Sequence, residues 1–144
     1  MARLLIPDTQ CRERNMAVKV APAYSINLSE NGQYIILKLF GDVTGDLAMK
    51  QIPEAHALGR RLGIHRYLVD ATEARNVDTI NGNYRFAHKD MQENPNIDKY
   101  ARVAILVSKE DYSHDFAETT SRASGLNVTL FRDRAMAVRH LLRE

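Results

Sequence analysis

One cysteine, Cys11, and no tryptophan occur in the 144 residues of this chain. A single thiol cannot close an internal disulfide, so a reduced, cytoplasmic setting is the expectation. No Cys/His cluster has zinc spacing, and no two of the five histidines stand at i, i+4 with an acidic partner, so no metal site is expected. Gly41 and Gly45 lack the further glycines or the Gly-Lys-Ser/Thr ending of a nucleotide-binding loop, and no cofactor is expected either. No apolar run approaches the ~20 residues that a membrane-spanning helix needs. The opening Met1 to Ile6 has one arginine and too short an apolar run for a secretory signal. Repeats, linkers and low-complexity tracts are missing as well, which leaves one domain with no visible internal boundary.

Charge of one sign is scarce in the body of the chain. Arg3, Arg12, Arg14 and Lys19 against Asp8 and Glu13 supply the whole formal excess of +2, and the rest is balanced. A nucleic-acid binder normally shows a basic folded body with matching readout elements, so no nucleic-acid partner is expected. Residues 1–21 show no clean period and are interrupted by Pro7; they read as a loosely ordered basic arm, with Met16 an alternative start. Residues 22–144 read as the domain.

What is present is a regular alternation of elements. Tyr24 to Leu28 and Gln33 to Phe40 are strand-like, and Asn31-Gly32 between them favours a tight hairpin. Gly41 to Asp46 turns the chain, and Thr44 or Asp46 caps a helix with Leu47, Ile52, Ala55, Leu58 and Leu62 on one side. Pro53 is expected to kink that helix or restart it, and Gly63 to end it. Tyr67-Leu68-Val69 is then a buried central strand ending at Asp70, followed by a polar loop from Thr72 to Thr79.

A second helix places Ile80, Tyr84, Ala87 and Met91 in one row, with Asp78 or Thr79 as its cap and Asn94-Pro95 as its stop. Arg102 to Val107 is another buried strand. Ser108 to Asp111 has the pattern of a capping box before a helix with Tyr112, Phe116, Thr120 and Ala123 inward, closed by Gly125. Val128 to Phe131 is the last strand, and Asp133 opens a helix with Ala135, Val138 and Leu142 inward. The fold class is therefore α/β, a single-domain mixed sheet in the order ββαβαβαβα. The hairpin is antiparallel and the later strands parallel by right-handed crossovers. Leu68, Val69, Val103, Ile105 and Leu106 are the expected centre of the core.

This order resembles the SpoIIAA-like branch of the STAS superfamily, which shares its architecture with lipid-binding Sec14-type domains. The strings that carry the resemblance are Gly41-Asp42-Val43-Thr44, Tyr67-Leu68-Val69-Asp70, Arg102 to Val107, and Leu130-Phe131-Arg132-Asp133-Arg134-Ala135 with Leu141-Leu142. It covers roughly residues 22–143. Members of its anti-sigma-factor antagonist group carry a phosphorylatable serine in an Asp-Ser-Ser-Gly-type turn. Here the corresponding place reads Asp78-Thr79-Ile80-Asn81-Gly82, which matches the first two positions and departs at the third.

The resemblance implies a non-catalytic bacterial regulatory or binding module. Its partner would be a protein or a small apolar, lipid-like ligand, met where polar loops and helix N-termini converge beyond the strand ends; a homodimer is also compatible. The candidate residues are Asp70, Thr72, Glu73, Arg75, Asp78 and Thr79. Asp70 orients a ligand or bonds the backbone N–H groups of its own loop, and the second reading is preferred because Asp commonly does this in turns. The alternative class is a small enzyme using Asp70 and the 72–79 loop. Ser113-His114-Asp115 has the letters of a hydrolase triad, but adjacent helical residues point apart, so it reads as a solvated helical turn. Tyr84, Phe86 and Met91 read as core, and most histidines as surface.

Overall fold

The computed structural model describes residues 24–144; the expected basic arm lies outside them. Strand β1 (Tyr24–Leu28) pairs antiparallel with β2 (Ile35–Val43), and β3 (Arg66–Asn76), β4 (Arg102–Leu106) and β5 (Asn127–Phe131) follow in parallel. The strands lie in sequence order, β1-β2-β3-β4-β5. The expected fold class and element order are the observed ones.

That order has a geometric consequence. Parallel crossovers of one hand that always step to the next strand in the same direction put every crossover helix on the same face of the sheet. Helix α1 (Gly45–Leu62) packs here through Ala48 and Ala55 against Leu37, Leu39, Tyr67 and Ala71. Next come α2 (Ile80–Arg85), a π-helical turn (Phe86–Asp90), α3 (Met91–Glu93), and α4 (Asp115–Ala123). Among the described residues only α5 (Arg134–Leu142), after the last strand, covers the opposite face, where Ala137 and Leu141 meet Leu68, Ala104 and Leu106. Two cores of unequal thickness result.

Local signals explain most element ends. Thr44 caps α1 by accepting from Leu47 N–H at 3.2 Å. Gly63 closes it at φ 70°, a left-handed conformation that favours glycine, while Ile64 N–H donates to Gly59 O at 2.9 Å. Asp133 caps α5 by accepting from Met136 N–H at 3.1 Å.

Several expectations are corrected. Thr72 to Asn76 is strand, not loop: β3 runs on past a bulge and pairs Glu73, Ala74, Arg75 and Asn76 with Phe40 to Val43. It reads as polar because β4 stops opposite Asp70, so among the described residues one edge of β3 has no strand beside it from there on. Pro53 lies inside an unbroken α1. Ser108 caps no helix; its hydroxyl donates to Thr72 O at 2.7 Å, and α4 begins only at Asp115. Tyr112, Phe116 and Ala123 are consequently exposed; Thr120 faces inward as expected, with Ala117 and Ser121 beside it. Ile80 and Tyr84 also point outward, because Gly82 and Asn83 are the residues of α2 that pack. In α5 the buried residues are Ala137 and Leu141, and Ala135 is exposed.

Candidate functional site

The thick side of the molecule is not filled. Between the sheet and its three helical segments lies an apolar cavity of about 130 Å³. Leu37, Leu39, Val69, Val103, Ile105 and Val128 form its floor. Strand side chains alternate between faces, so Val69 points in while Leu68 and Asp70 point to the α5 side. This explains why Val69, Val103 and Ile105, in the two central strands, are only half-buried, whereas Leu68 is wholly buried.

The cavity exists because the helices present small side chains to it. Gly45, Ala48 and Ala55 of α1, with Ala117 and Ser121 of α4, stand opposite the large residues of the sheet. Leucine at such places would close the space; the leucines of α1 instead lie at Leu47, Leu58 and Leu62, none of which lines it. Phe86 and Met91, expected as core, do pack into the helix side and also line the cavity. The lining stretch of α1, Thr44 to His56, spans roughly 18 Å at 1.5 Å per residue, so the space is elongated.

Its two ends differ. At the carboxyl ends of the strands, Asn76, Asn83, His114 and Thr44 reach it. Asn76 Nδ2 donates to Asn83 Oδ1 at 2.8 Å, and Asn76 N–H to Ser113 Oγ at 3.0 Å. His114 is buried, not a solvated turn residue; its Nε2 donates to Ala74 O at 3.2 Å and lies 3.5 Å from Asp111 Oδ2. Burial pushes the Asp111 carboxyl up, but the bonds from Ser113 and the charges of His114 and Arg75 outweigh it and hold it below the usual carboxylate range. His114 Nε2 thus serves a backbone carbonyl beside a carboxylate, and among the described residues no hydroxyl is hydrogen-bonded to its ring.

At the other end stands His56, also buried against expectation. Its ring stacks on Tyr67 with centroids 4.4 Å apart, and its Nδ1 accepts from Asp98 N–H at 2.9 Å. Burial lowers its pKa from 6.5 to about 4, with the charge of Asp98 acting the other way and that of Arg60 adding a little. The ring is therefore neutral at pH 7.

The six residues expected from sequence divide by face. Asp70 is 2% exposed and belongs to the α5 side. Its Oδ1 accepts from Thr72 N–H (3.0 Å) and Thr72 Oγ1 (2.7 Å), its Oδ2 from Arg134 Nη2 (2.7 Å), and Lys38 Nζ stands at 4.0 Å. Burial alone would raise its pKa; the Thr72 bonds and the charges of Arg134 and Lys38 bring it below the usual range. These bonds are those of the structural reading. Glu73 pairs with Lys38 at 3.0 Å, and Arg75 lies 3.8 Å from Asp111.

Asp78 and Thr79, by contrast, fasten the helix over the cavity. Thr79 is the cap, its Oγ1 accepting from Gly82 N–H at 2.9 Å. Asp78 reaches back to α1 and accepts from Gly45 N–H at 2.7 Å. A Cβ on Gly82 would fall 2.0 Å from Asp78 Oδ1, so the clamp needs a glycine there. Sequence reasoning missed the cavity and both buried histidines; the small residues at Ala48, Ala55, Ala117 and Ser121 were the available signal.

Among the described residues no group of His, Cys, Asp and Glu is arranged to hold a metal ion, and no helix is long and apolar enough to cross a membrane.

Comparison with known proteins finds no matching family model and no matching curated protein. Among solved structures the chain is similar to an uncharacterized protein from the DUF3478 family with a SpoIIAA-like fold, from Shewanella loihica PV-4. They share 21% identity, with 83% of this chain and 93% of the other covered, at a TM-score of 0.48. It is also similar to an antisigma-factor antagonist, STAS domain, from Rhodobacter sphaeroides, at 16% identity, 76% and 84% coverage and a TM-score of 0.33. Likenesses of this size add nothing to the argument, and the architecture rests on the strand order and pairing given above.

Proposed function

We propose that this chain is a non-catalytic binding module whose ligand is a small, elongated apolar molecule held between the sheet and α1, α2 and α4. The observation that supports it is the apolar cavity lined by small helical residues. Natural interiors are packed nearly as densely as organic crystals, and space left open along several elements is a common setting for a ligand. Asp78 and Thr79 then serve by holding α2 over the ligand, and Asp70, Thr72 and Arg134 by keeping α5 on the other face. Against the alternative of an enzyme stands the engagement of Asp70 and His114 in structural bonds.

Calorimetric titration with 2-nonanone tests the reading. The wild-type protein is expected to bind it saturably at one to one, and Ala117→Leu, which grows a side chain into the cavity, to bind it much more weakly while remaining folded. Equal binding by both would remove the cavity from the account.

A protein partner is a second reading, favoured by one further observation. Val77, Ile80 and Tyr84 near α2, with Tyr112 and Phe116 near the start of α4, are exposed on the face where these helices meet, Ile80 by 71%. His88 of the π-helical turn and Thr120 of α4, 3.1 Å apart, join the two segments there. If this face docks a protein, Ile80→Asp should abolish the capture of a specific partner by the wild-type chain. Capture unchanged by that substitution would exclude this face.

A further inference from the structure

His56 is placed like a ligand contact, and its hydrogen-bond balance shows what it would contact. It lines the cavity, it is 4% exposed, and its Nδ1 is occupied as an acceptor by Asp98 N–H. An imidazole whose Nδ1 accepts carries its remaining proton on Nε2. That Nε2–H has no hydrogen-bond partner among the described residues, and it is not one of the sealed unpartnered atoms there, which are Gln51 Oε1, Arg132 Nε and His140 Nε2, so it keeps contact with open space. A half-turn of the ring would keep the stack on Tyr67 but give up the Asp98 bond.

The surroundings restrict the acceptor. Among the described residues no lysine or arginine lines the cavity, and its walls around His56 are aliphatic and aromatic, the polar side chains of Thr44, Asn76, Asn83 and His114 standing at the other end. A carboxylate brought there would lose its hydration and gain one neutral donor, which is a poor exchange. An uncharged oxygen loses far less. We infer that His56 is the polar anchor of the cavity, and that the occupant is an uncharged, chain-like apolar molecule presenting one hydrogen-bond acceptor, a ketone, ester or ether oxygen, to its Nε2–H.

This inference rests on the cavity reading proposed above, and three probes separate the two: 2-nonanone, its isostere 2-methyl-1-nonene, which replaces the carbonyl oxygen by CH₂, and nonanoate. The wild-type protein is expected to bind the ketone about 2- to 12-fold more tightly than the alkene, the range for one net hydrogen bond. Nonanoate should bind least. In His56→Phe the preference should be lost or reversed, because the carbonyl then gives up its hydration for no donor. The ¹⁵N resonance of His56 Nε2 in the wild-type protein should move with the ketone and stay still with the alkene, a readout that needs no variant. Equal wild-type affinities for ketone and alkene, an unmoved Nε2 resonance, or tightest binding of nonanoate would overturn the anchor and leave the cavity standing. No saturable binding of any probe would remove the cavity reading itself.

Discussion

Leu68→Ala is expected to destabilise the protein by about 2–5 kcal/mol, the range for a fully buried leucine that leaves a void. Leu68 has no exposed surface and packs on the thin side of the sheet among Ala104, Leu106, Ala137 and Leu141. Ile105→Ala, one strand away on the other face, is expected to cost only about 1–2 kcal/mol. Its side chain already borders open space, so truncation forfeits fewer contacts than at a closed site. Urea unfolding of the two variants measures the difference. Equal, large losses would show that the region around Ile105 is packed solid, and that no cavity exists in solution.

The second large effect is acid sensitivity centred on one histidine. His56 titrates at 6.5 in the unfolded chain and at about 4 in the folded one. Between these values the unfolded state binds a proton that the folded state refuses, so stability rises with pH across the window. The contribution of the neutral ring is complete above pH 6.5 and is lost as the pH falls toward 4, a change on the order of 3 kcal/mol. His140, held below its usual value by burial and by Arg143 and Arg102, adds a part of the same sign. Asp70, Asp98 and Asp111 lie below 3.8 in the folded state, so their stabilisation persists through this window and fails only at lower pH. Unfolding free energies measured from pH 7.5 to 4.5 should therefore fall steeply in the wild type and much less in His56→Phe. Parallel slopes would show that the ring is hydrated or charged in the folded state.

How much of this was legible in the sequence depends on the size of the side chain concerned. The hairpin, the apolar strands and the caps at Thr44, Thr79 and Asp133 follow from turn chemistry and apolar runs that act over a few residues. The inward faces of the helices were harder. Periodicity directs attention to large apolar residues, and Leu62, Tyr84, Tyr112 and Phe116 were assigned inward accordingly, yet all four are exposed. Ile52 and Ala55 do face the sheet as expected, but Ala48, Ala117 and Ser121 join them and carry little hydrophobic signal because they leave space instead of filling it.

The strand expected to end at Asp70 runs on to Asn76, and the face that Asp70 takes has no signal in the sequence. Whether a strand residue points toward a cavity or away from it depends on which helices cover each side, and that is fixed by the order of strands across the sheet. The π-helical turn at Phe86–Asp90 had no signature in the sequence, and its extra residue shifts the row that links α2 to α3.

Methyl resonances followed through a titration with 2-nonanone test the central claim most directly, because the two faces of the sheet report separately. The account predicts saturable shifts at Val69, Val103 and Ile105, which floor the cavity, with Leu68 and Leu106 on the α5 side unmoved. Shifts confined to Leu68 and Leu106, or to Ile80 on the outer surface, or no saturable shift at all, would contradict it.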